Sequence, residues 1–352
     1  MTTLTASTAP AVRRSYTNYA RPLWQRILLT REMAIIALLL LVLVGASVMV
    51  PKFASPVTMT YLLLDVTTIL LIALAMAPVM ITGDIDLSVG SMVGLSSVLL
   101  GLLTQAGLSI PVAGVICLGV GVLGGLVNGL LVTRVGLPAL AVTIGTLALY
   151  RGIAVGLLGT TAITDFDKWW KALAKAKIGS TGVPVVMILF VVLLIAFVIM
   201  LHFTPFGRGI FAIGLSDEAA AFSGVNVQRT RLILFMLTGV MAALAGIYYT
   251  LYFGSARGDN ATGLELQVIA AVVLGGVSVF GGRGALHGVI AGVLLIGALA
   301  SALRLANVTS DVINIITGVL LVLSVIVGSI TNWVKGKRVR PPTPRPTPGQ
   351  KP

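Results

Sequence analysis

Few residues in this chain are of a type that could carry out chemistry, and they do not form a known catalytic arrangement. Only 10% of the 352 residues are charged, and there are 2 histidines and 1 cysteine. The sequence has no G-x-x-x-x-G-K-S/T phosphate-binding loop, and no His, Cys or Glu cluster has metal-ligand spacing. Cys117 lies alone in an apolar run, which excludes a disulfide framework. We therefore predict that the chain is not an enzyme, has no metal site and binds no cofactor itself.

A pair of carboxylates interrupts the apolar sequence between residues 81 and 90, which reads ITGDIDLSVG. Asp84 and Asp86 stand two residues apart, and carboxylates at membrane depth are costly unless they have partners. In one interpretation, Asp86 or Ser88 caps the helix that follows by accepting hydrogen bonds from its free N–H groups. In the other, the segment is a broken helix that lines a polar pathway. The two roles are compatible, and the sequence leaves both open.

Two further charged residues belong to apolar runs, one inside a run and one at the start of another. Arg151 follows Pro138 by about 13 residues, which is roughly 20 Å along a helix. Its guanidinium could extend to the membrane surface or face a pathway. Glu265 opens a later apolar run. The candidate pathway or broken-helix residues are therefore Asp84, Asp86, Ser88, Arg151 and Glu265.

The elements that must position these residues are membrane helices. Hydrophobic residues make up 57% of the chain and mean hydropathy is +1.05, whereas a soluble domain is about 25% charged. We predict an all-α integral membrane protein with ten spans, at 33–50, 59–81, 87–107, 110–132, 138–158, 183–201, 232–253, 265–281, 285–303 and 311–333.

The net charge of +13 reports topology rather than nucleic-acid binding. With the N-terminus inside, most of the 24 Lys and Arg residues fall in cytoplasmic segments, as the positive-inside rule requires. Both termini are therefore predicted to be cytoplasmic. One basic segment is predicted outside, at 160–182, where Trp169 and Trp170 share a helical face. It is typical of an interfacial helix, or it offers charge to an extracytoplasmic partner.

Glycines recur at every fourth position in the fourth and ninth predicted spans. Such small-xxx-small series let helix backbones approach closely in lipid. We predict a packing role for the two series, which are Gly121, Gly125 and Gly129, and Gly284, Gly288 and Gly292.

A short helix is predicted inside the Arg-rich polar segment 206–231. Ser216 is a good N-cap, the two acidic residues after it favour the first turn, and Gly224 can end the helix. A helix roughly 10 Å long is marginal by itself, so it needs a surface to dock on. It is either an ordinary loop with one helical turn or a segment that docks in a groove of another protein through Ala219, Ala220, Phe222 and Ser223.

Three strings, in this order along the chain, resemble one family. The string at 81–90 resembles the G-G-I-D-L-S-V-G signature of ribose-type sugar permeases, with Asp84 in place of the second Gly. Glu218-Ala219-Ala220, followed after three residues by Gly224, resembles the E-A-A-x-x-x-G loop of ABC-importer permeases. The string at 262–288, TGLELQVIAAVVLGGVSVFGGRGALHG, resembles the second signature of the same permeases. The chain is thus identified, from about residue 58 to 331, as similar to the transmembrane subunit of bacterial ABC sugar importers of the ribose, xylose, rhamnose and autoinducer-2 kind.

The resemblance implies a permease bundle in the bacterial inner membrane that forms the pathway for a monosaccharide such as ribose or rhamnose. It implies three kinds of partner: a second permease subunit, identical or related, two cytoplasmic ABC ATPases that carry ATP-Mg, and a periplasmic sugar-binding protein. It further implies that a coupling helix contacts the ATPase through Ser216, Asp217, Glu218, Ala219, Ala220, Phe222, Ser223 and Gly224. Because a sugar is uncharged, we expect a pathway of hydroxyls, amides and small residues with no ion pair.

Two alternatives remain from the sequence. An ion-gradient-driven secondary sugar transporter would need several ionisable residues at mid-membrane, and only Asp65 and Arg151 approach that position. A membrane scaffold that transports nothing is the other. The predicted domain organisation has three parts. A disordered cytoplasmic tail at 1–32 is followed by a permease domain at 33–333, which includes the coupling loop 202–231. A basic Pro-rich cytoplasmic tail at 334–352 ends the sequence.

Overall fold

The structure is a computed structural model that describes residues 31–320 together with 322, 323 and 326. The predicted tails at 1–32 and 334–352 lie outside these residues, except for residues 31 and 32. The described part is helical, and its only β-type pairings are two isolated bridges, Ile163 with Ala256 and Lys177 with Pro184.

The described helices follow one another with short connections. In chain order they are α1 Arg31–Met49, α2 Pro56–Ile81, α3 Val89–Gln105, α4 Ile110–Thr133, α5 Ala139–Leu158, α6 Lys168–Lys175, α7 Val186–Val198 with a π-helical turn at Ile199–Phe203, α8 Pro205–Leu215, α9 Asp217–Phe222, α10 Val227–Phe253, α11 Leu264–Leu274, α12 Leu286–Leu305 and α13 Ser310–Leu320.

Seven of the described helices are long and apolar enough to cross a membrane, namely α1, α2, α4, α5, α7 with its π-helical turn, α10 and α12. Three shorter apolar helices, α3, α11 and α13, lie where the third, eighth and tenth spans were predicted. The helices therefore follow the predicted apolar runs. They do not confirm ten full spans or the cytoplasmic termini.

The eighth predicted span ends earlier than the apolar run at 265–281. Helix α11 stops at Leu274, and a turn through Gly276, whose φ is +94°, leads the chain away. Residues other than glycine rarely adopt this backbone conformation. The hydrophobic run therefore continues as a loop, and the N–H of Gly282 donates to the carbonyl of Ile81 at 2.8 Å.

Helix α2 lies at the centre of the bundle. Every residue from Val66 to Ile81 is buried, and most of these residues are apolar, as expected of an enclosed helix. Helix α10 packs most extensively on α4 and also contacts α3 and α2. The core is thus a set of helices wrapped around α2.

The first glycine series lies where α4 meets α10. A Cβ atom added to Gly121 would lie 2.5 Å from the carbonyl oxygen of Gly239, and one added to Gly125 would lie 2.7 Å from Met236 Cα. Gly129 faces Leu232 in the same way. Any larger residue would force these two backbones apart.

The second glycine series faces several different elements. Gly288 and Gly292 lie against the backbone of Gly275 and Ala271 at the end of α11. Gly284 lies beside Val277 and Ile81, where an added Cβ would come within 2.9 and 3.0 Å of their side chains. The short helix α11 and its turn are therefore packed against α12 through small residues.

The connections divide between the two ends of the bundle. We call them the Arg257 end, which carries the loops 50–55, 106–109, 159–185, 254–263 and 306–309, and the Arg231 end, which carries 82–88, 134–138, 204–226 and 275–285. Loops of one end contact one another: Ile163 and Ala256 exchange backbone hydrogen bonds at the Arg257 end.

Candidate functional site

A polar cavity of about 570 Å³ opens between α2, α10, α11 and α12 at the Arg257 end. This volume lies in the range of about 300–1,000 Å³ that is usual for small-molecule sites. Its wall combines apolar residues with side chains that can donate or accept hydrogen bonds: Asp65, Thr68, Tyr249, Arg257, Asp259, Asn260, Thr262, Gln267 and Arg304.

The charged side chains of the cavity wall are paired with one another. Arg304 Nη1 lies 3.0 Å from Asp65 Oδ2, and the hydroxyl of Tyr252 donates to Asp65 Oδ1 at 2.7 Å. Arg257 donates from Nε and Nη2 to the two oxygens of Asp259, at 2.9 Å each. These hydrogen bonds from Arg257 hold the pKa of the Asp259 carboxyl below its usual value. The cavity thus contains two ion pairs, whereas we expected a sugar pathway to have none.

Part of this cavity could be found from the sequence and part could not. Asp65 stands out as a carboxylate in an apolar run. Nothing local distinguishes Asn260, Gln267 or Arg304 from other polar residues near helix ends. Asp65 and Arg304 come from helices far apart in the chain, so only the packing of α12 on α2 brings them together.

The Arg151 guanidinium binds backbone carbonyls of the protein and does not line this cavity. Its Nη1 donates to the carbonyls of Gly258, at 2.9 Å, and Asn260, at 2.6 Å, while Nη2 donates to Gly90 at 3.3 Å. The guanidinium therefore joins α5 to the loop 254–263 and to the first turn of α3. Beside it, the Glu265 carboxylate lies against Gly90, and its buried Oε2 has no hydrogen-bond partner within the described part of the chain.

Asp84 lies at the other end of the bundle, in an ion pair with Arg231. Arg231 Nε is 2.7 Å from Asp84 Oδ2, and the same guanidinium donates to both oxygens of Asp217, at 2.8 and 3.3 Å. Burial raises the pKa of the Asp84 carboxyl, and the opposite charge of Arg231 works against that rise.

Asp86 and Ser88 are buried in the core. Asp86 Oδ1 accepts from the N–H and the hydroxyl of Ser88, at 2.9 and 2.6 Å, and Oδ2 lies 2.6 Å from the hydroxyl of Thr238. The Asn128 side chain donates to Ser88 Oγ at 2.9 Å. Ser88 occupies the N-cap position of α3, but its side chain makes no capping hydrogen bond. Burial raises the pKa of the Asp86 carboxyl, and no cation in the described part of the chain offsets that rise.

The five candidate pathway residues therefore do not meet at one site. Asp84 lies at the Arg231 end, Asp86 and Ser88 lie in the core, and Arg151 and Glu265 lie under the loop 254–263. None of them lines the polar cavity. Among the residues that the structure describes, no group of three His, Cys, Asp or Glu side chains could hold a metal ion.

The short helix α9 has the local structure expected from its sequence. Ser216 Oγ accepts from the N–H of Ala219 at 3.2 Å, and Gly224 has a φ of +85°. Ala220 is buried against its own chain, so it does not belong to an exposed docking face. Phe222 is 93% exposed and is the most prominent apolar side chain of this helix.

The comparisons with known proteins agree with each other on transport. The family described as "Branched-chain amino acid transport system / permease component" matches residues 58–325. The autoinducer 2 import system permease protein LsrD of Escherichia coli O157:H7 is 35% identical over 304 residues, which cover 85% of this chain and 92% of the relative. The LsrD proteins of Escherichia coli K12 and of Shigella flexneri are 34% identical over the same shares. No solved structure matches.

Proposed function

This chain belongs to the branched-chain amino acid transport system / permease component family, and we propose that it forms the membrane pathway of an ABC importer for a monosaccharide or sugar-like molecule. A permease component is a transport subunit and not an enzyme. The LsrD relatives are named for the import of autoinducer 2, which supports a small polar substrate for this chain too.

The polar cavity at the Arg257 end is the observation that carries this proposal. Its four charged side chains are paired, so the wall does not demand a charged substrate. Thr68 and Gln267 remain as neutral groups that can donate and accept hydrogen bonds. The amide N–H groups of Asn260 are donated to Ser97 and Ser255, at 2.9 and 3.0 Å, so this residue offers its Oδ1 as an acceptor. A site built from such groups favours a ligand with hydroxyls, because a ligand without them would leave buried polar groups unpaired.

The family supports a proposal for the energy source and the partners. We propose that two ABC ATPases carrying ATP-Mg bind at the Arg231 end, on the cytoplasmic side of the bacterial inner membrane, and contact α9. The exposed Phe222 supports this placement, since a large aromatic side chain on a polar loop is typical of a contact surface. A second permease subunit, identical or related, and a periplasmic sugar-binding protein at the Arg257 end complete the proposed importer.

Uptake measurements test the substrate and the energy source together. Cells that express the chain with its ATPase, its partner permease and its binding protein are given radiolabelled ribose, rhamnose, autoinducer 2 or leucine. We expect uptake of one of the first three and loss of uptake when the phosphate-binding lysine of the ATPase is replaced. Uptake of leucine alone would mean that the ion pairs bind a zwitterion. Uptake that survives the ATPase variant but collapses with the proton gradient would identify a secondary transporter.

The cavity itself is tested by Gln267→Leu, which keeps the size of the side chain but removes its amide. We expect a rise in KM of about fivefold, since one hydrogen bond to a substrate hydroxyl is worth roughly 1 kcal/mol. Gln105→Leu is the matched control, because Gln105 is exposed at the same end and does not line the cavity. Equal KM values in both variants would remove the cavity from the pathway.

A further inference from the structure

The residue at position 84 is where the chain departs from the sugar-permease signature that it resembles. That signature has a glycine where this chain has Asp84, so the loop 82–88 carries a carboxylate at this position. The Asp84 side chain is 12% exposed and lies against the guanidinium of Arg231, which is 21% exposed. The residue that departs from the signature therefore forms an ion pair that is mostly shielded from solvent.

Arg231 joins three separate elements. It belongs to α10, its Nε faces Asp84 in the loop 82–88, and its two Nη atoms donate to Asp217 in the first turn of α9. The guanidinium contacts two carboxylates at once, since its Nη atoms donate hydrogen bonds to Asp217 while its Nε lies at ion-pair distance from Asp84. A lysine, which offers a single point of charge, could not hold both in this geometry.

The loop 82–88 is connected in turn to the core of the bundle. Thr143 of α5 donates to the carbonyl of Ile85 at 3.1 Å, and Thr238 of α10 contacts Asp86 at 2.6 Å. The end of α2 accepts from Gly282 through Ile81, at 2.8 Å. A displacement of this loop would therefore strain or break hydrogen bonds to α2, α5, α10 and the loop 275–285.

We propose that Arg231 is the positioning residue that makes α9 and the loop 82–88 move as one body, so that force applied to α9 reaches the core of the bundle. The inference rests on the proposed function, in which α9 is the contact with the ATPase. The inference names three residues of this chain that would transmit force from α9 to the bundle, namely Asp217, Arg231 and Asp84.

The first test measures how firmly Arg231 holds α9 in the full chain without any partner. Millisecond hydrogen exchange is recorded for the amides of 216–224 in the chain reconstituted in lipid nanodiscs. In Arg231→Gln and in Asp84→Asn we expect exchange to rise roughly tenfold, since charge-assisted hydrogen bonds hold α9 in place. Arg229→Gln is the matched control, because Arg229 is exposed and makes no ion pair with any residue that the structure describes.

The second test measures coupling in the assembled transporter, with ribose, rhamnose and autoinducer 2 as probes. In Arg231→Gln the ratio of ATP hydrolysed to probe transported should rise severalfold, while the ATPase still co-purifies. Arg229→Gln should keep the wild-type ratio. The double variant Arg231→Asp with Asp84→Arg should restore it, because the introduced guanidinium would then face carboxylates at 231 and 217.

These outcomes separate the inference from the function on which it rests. Absence of ATP-dependent uptake in the wild-type complex would overturn the proposed function. A wild-type transporter that couples normally, with Arg231→Gln at the same ratio of ATP to probe, would overturn only the role of Arg231. So would a folded double variant, with the melting temperature of the wild type, that stays as uncoupled as Arg231→Gln.

Discussion

At the scale of single residues, Asp86 shows how a buried carboxyl can be accommodated without a cation. The hydroxyl of Thr238 lies 2.6 Å from Asp86 Oδ2 and 2.8 Å from the carbonyl oxygen of Phe235. Because a hydroxyl has one hydrogen, it cannot donate to both acceptors. A proton on Asp86 resolves this conflict, since the carboxyl then donates to Thr238 and Thr238 donates to Phe235. Burial, which raises the pKa of Asp86, favours the same protonated form.

We expect Asp86→Asn to be tolerated for this reason. The amide can donate to Thr238 and accept from Ser88, as a protonated carboxyl does, so the melting temperature should change little. Asp86→Leu leaves those groups unpaired and should cost about 1–3 kcal/mol. Equal losses in the two variants, measured by thermal unfolding, would contradict a neutral Asp86.

The same residue predicts a pH dependence. A carboxyl whose pKa is higher in the folded chain than its ordinary value of 3.8 binds its proton more tightly when folded. Its contribution to stability is therefore complete below pH 3.8 and is lost as the pH rises through the raised pKa. Asp86→Asn should remove this part of the pH dependence, which a series of melting curves would measure.

At the scale of elements, the contact between α4 and α10 depends on glycine. A side chain at Gly125 would meet the backbone of Phe235 and Met236. We expect Gly125→Leu to lower the melting temperature and the yield of folded protein, with an overpacking cost of about 1–3 kcal/mol. Gly119→Leu on the same helix is the control, since nothing lies within 4 Å of a Cβ added there. Similar stability of both variants would show that α4 and α10 separate without cost.

The short helix α9 predicts a specific loss of ATPase binding. Phe222 is almost fully exposed, so Phe222→Ser should leave the fold unchanged while it removes an apolar contact from the proposed interface. Phe203→Ser makes the same chemical change at a side chain that is 74% exposed on another helix. Co-purification of the ATPase should fall only in Phe222→Ser; an equal yield of ATPase with both variants would place the contact elsewhere.

At the scale of the whole molecule, the two ends of the bundle should lie on opposite sides of the membrane. Ser216 belongs to the Arg231 end and Lys171 to the Arg257 end. From the bias of Lys and Arg along the chain, we expect a reporter fused after Ser216 to be cytoplasmic and one fused after Lys171 to be periplasmic. Two reporters on one side would contradict the topology.

The features that could be predicted from the sequence are those with local causes. The apolar runs located the helices because burial in lipid or in a core acts on each segment along its own length. The ends of α9 could be predicted because an N-cap hydroxyl and a glycine with positive φ affect only the few residues around them. The apolar run at 265–281 is an exception. Its residues stay apolar to the end, but the helix stops at Leu274 and the chain turns at Gly276.

Three of the contacts made by charged side chains depend on the packing of distant segments. Asp65 meets Arg304, Asp84 meets Arg231, and Arg151 meets backbone carbonyls of a distant loop. Each of these contacts joins segments that are far apart in the chain, and its geometry depends on how whole helices pack. A single sequence shows that a buried charge needs a partner, because desolvation is costly. It does not show which residue is that partner, because the packing of the helices determines which side chains come into contact.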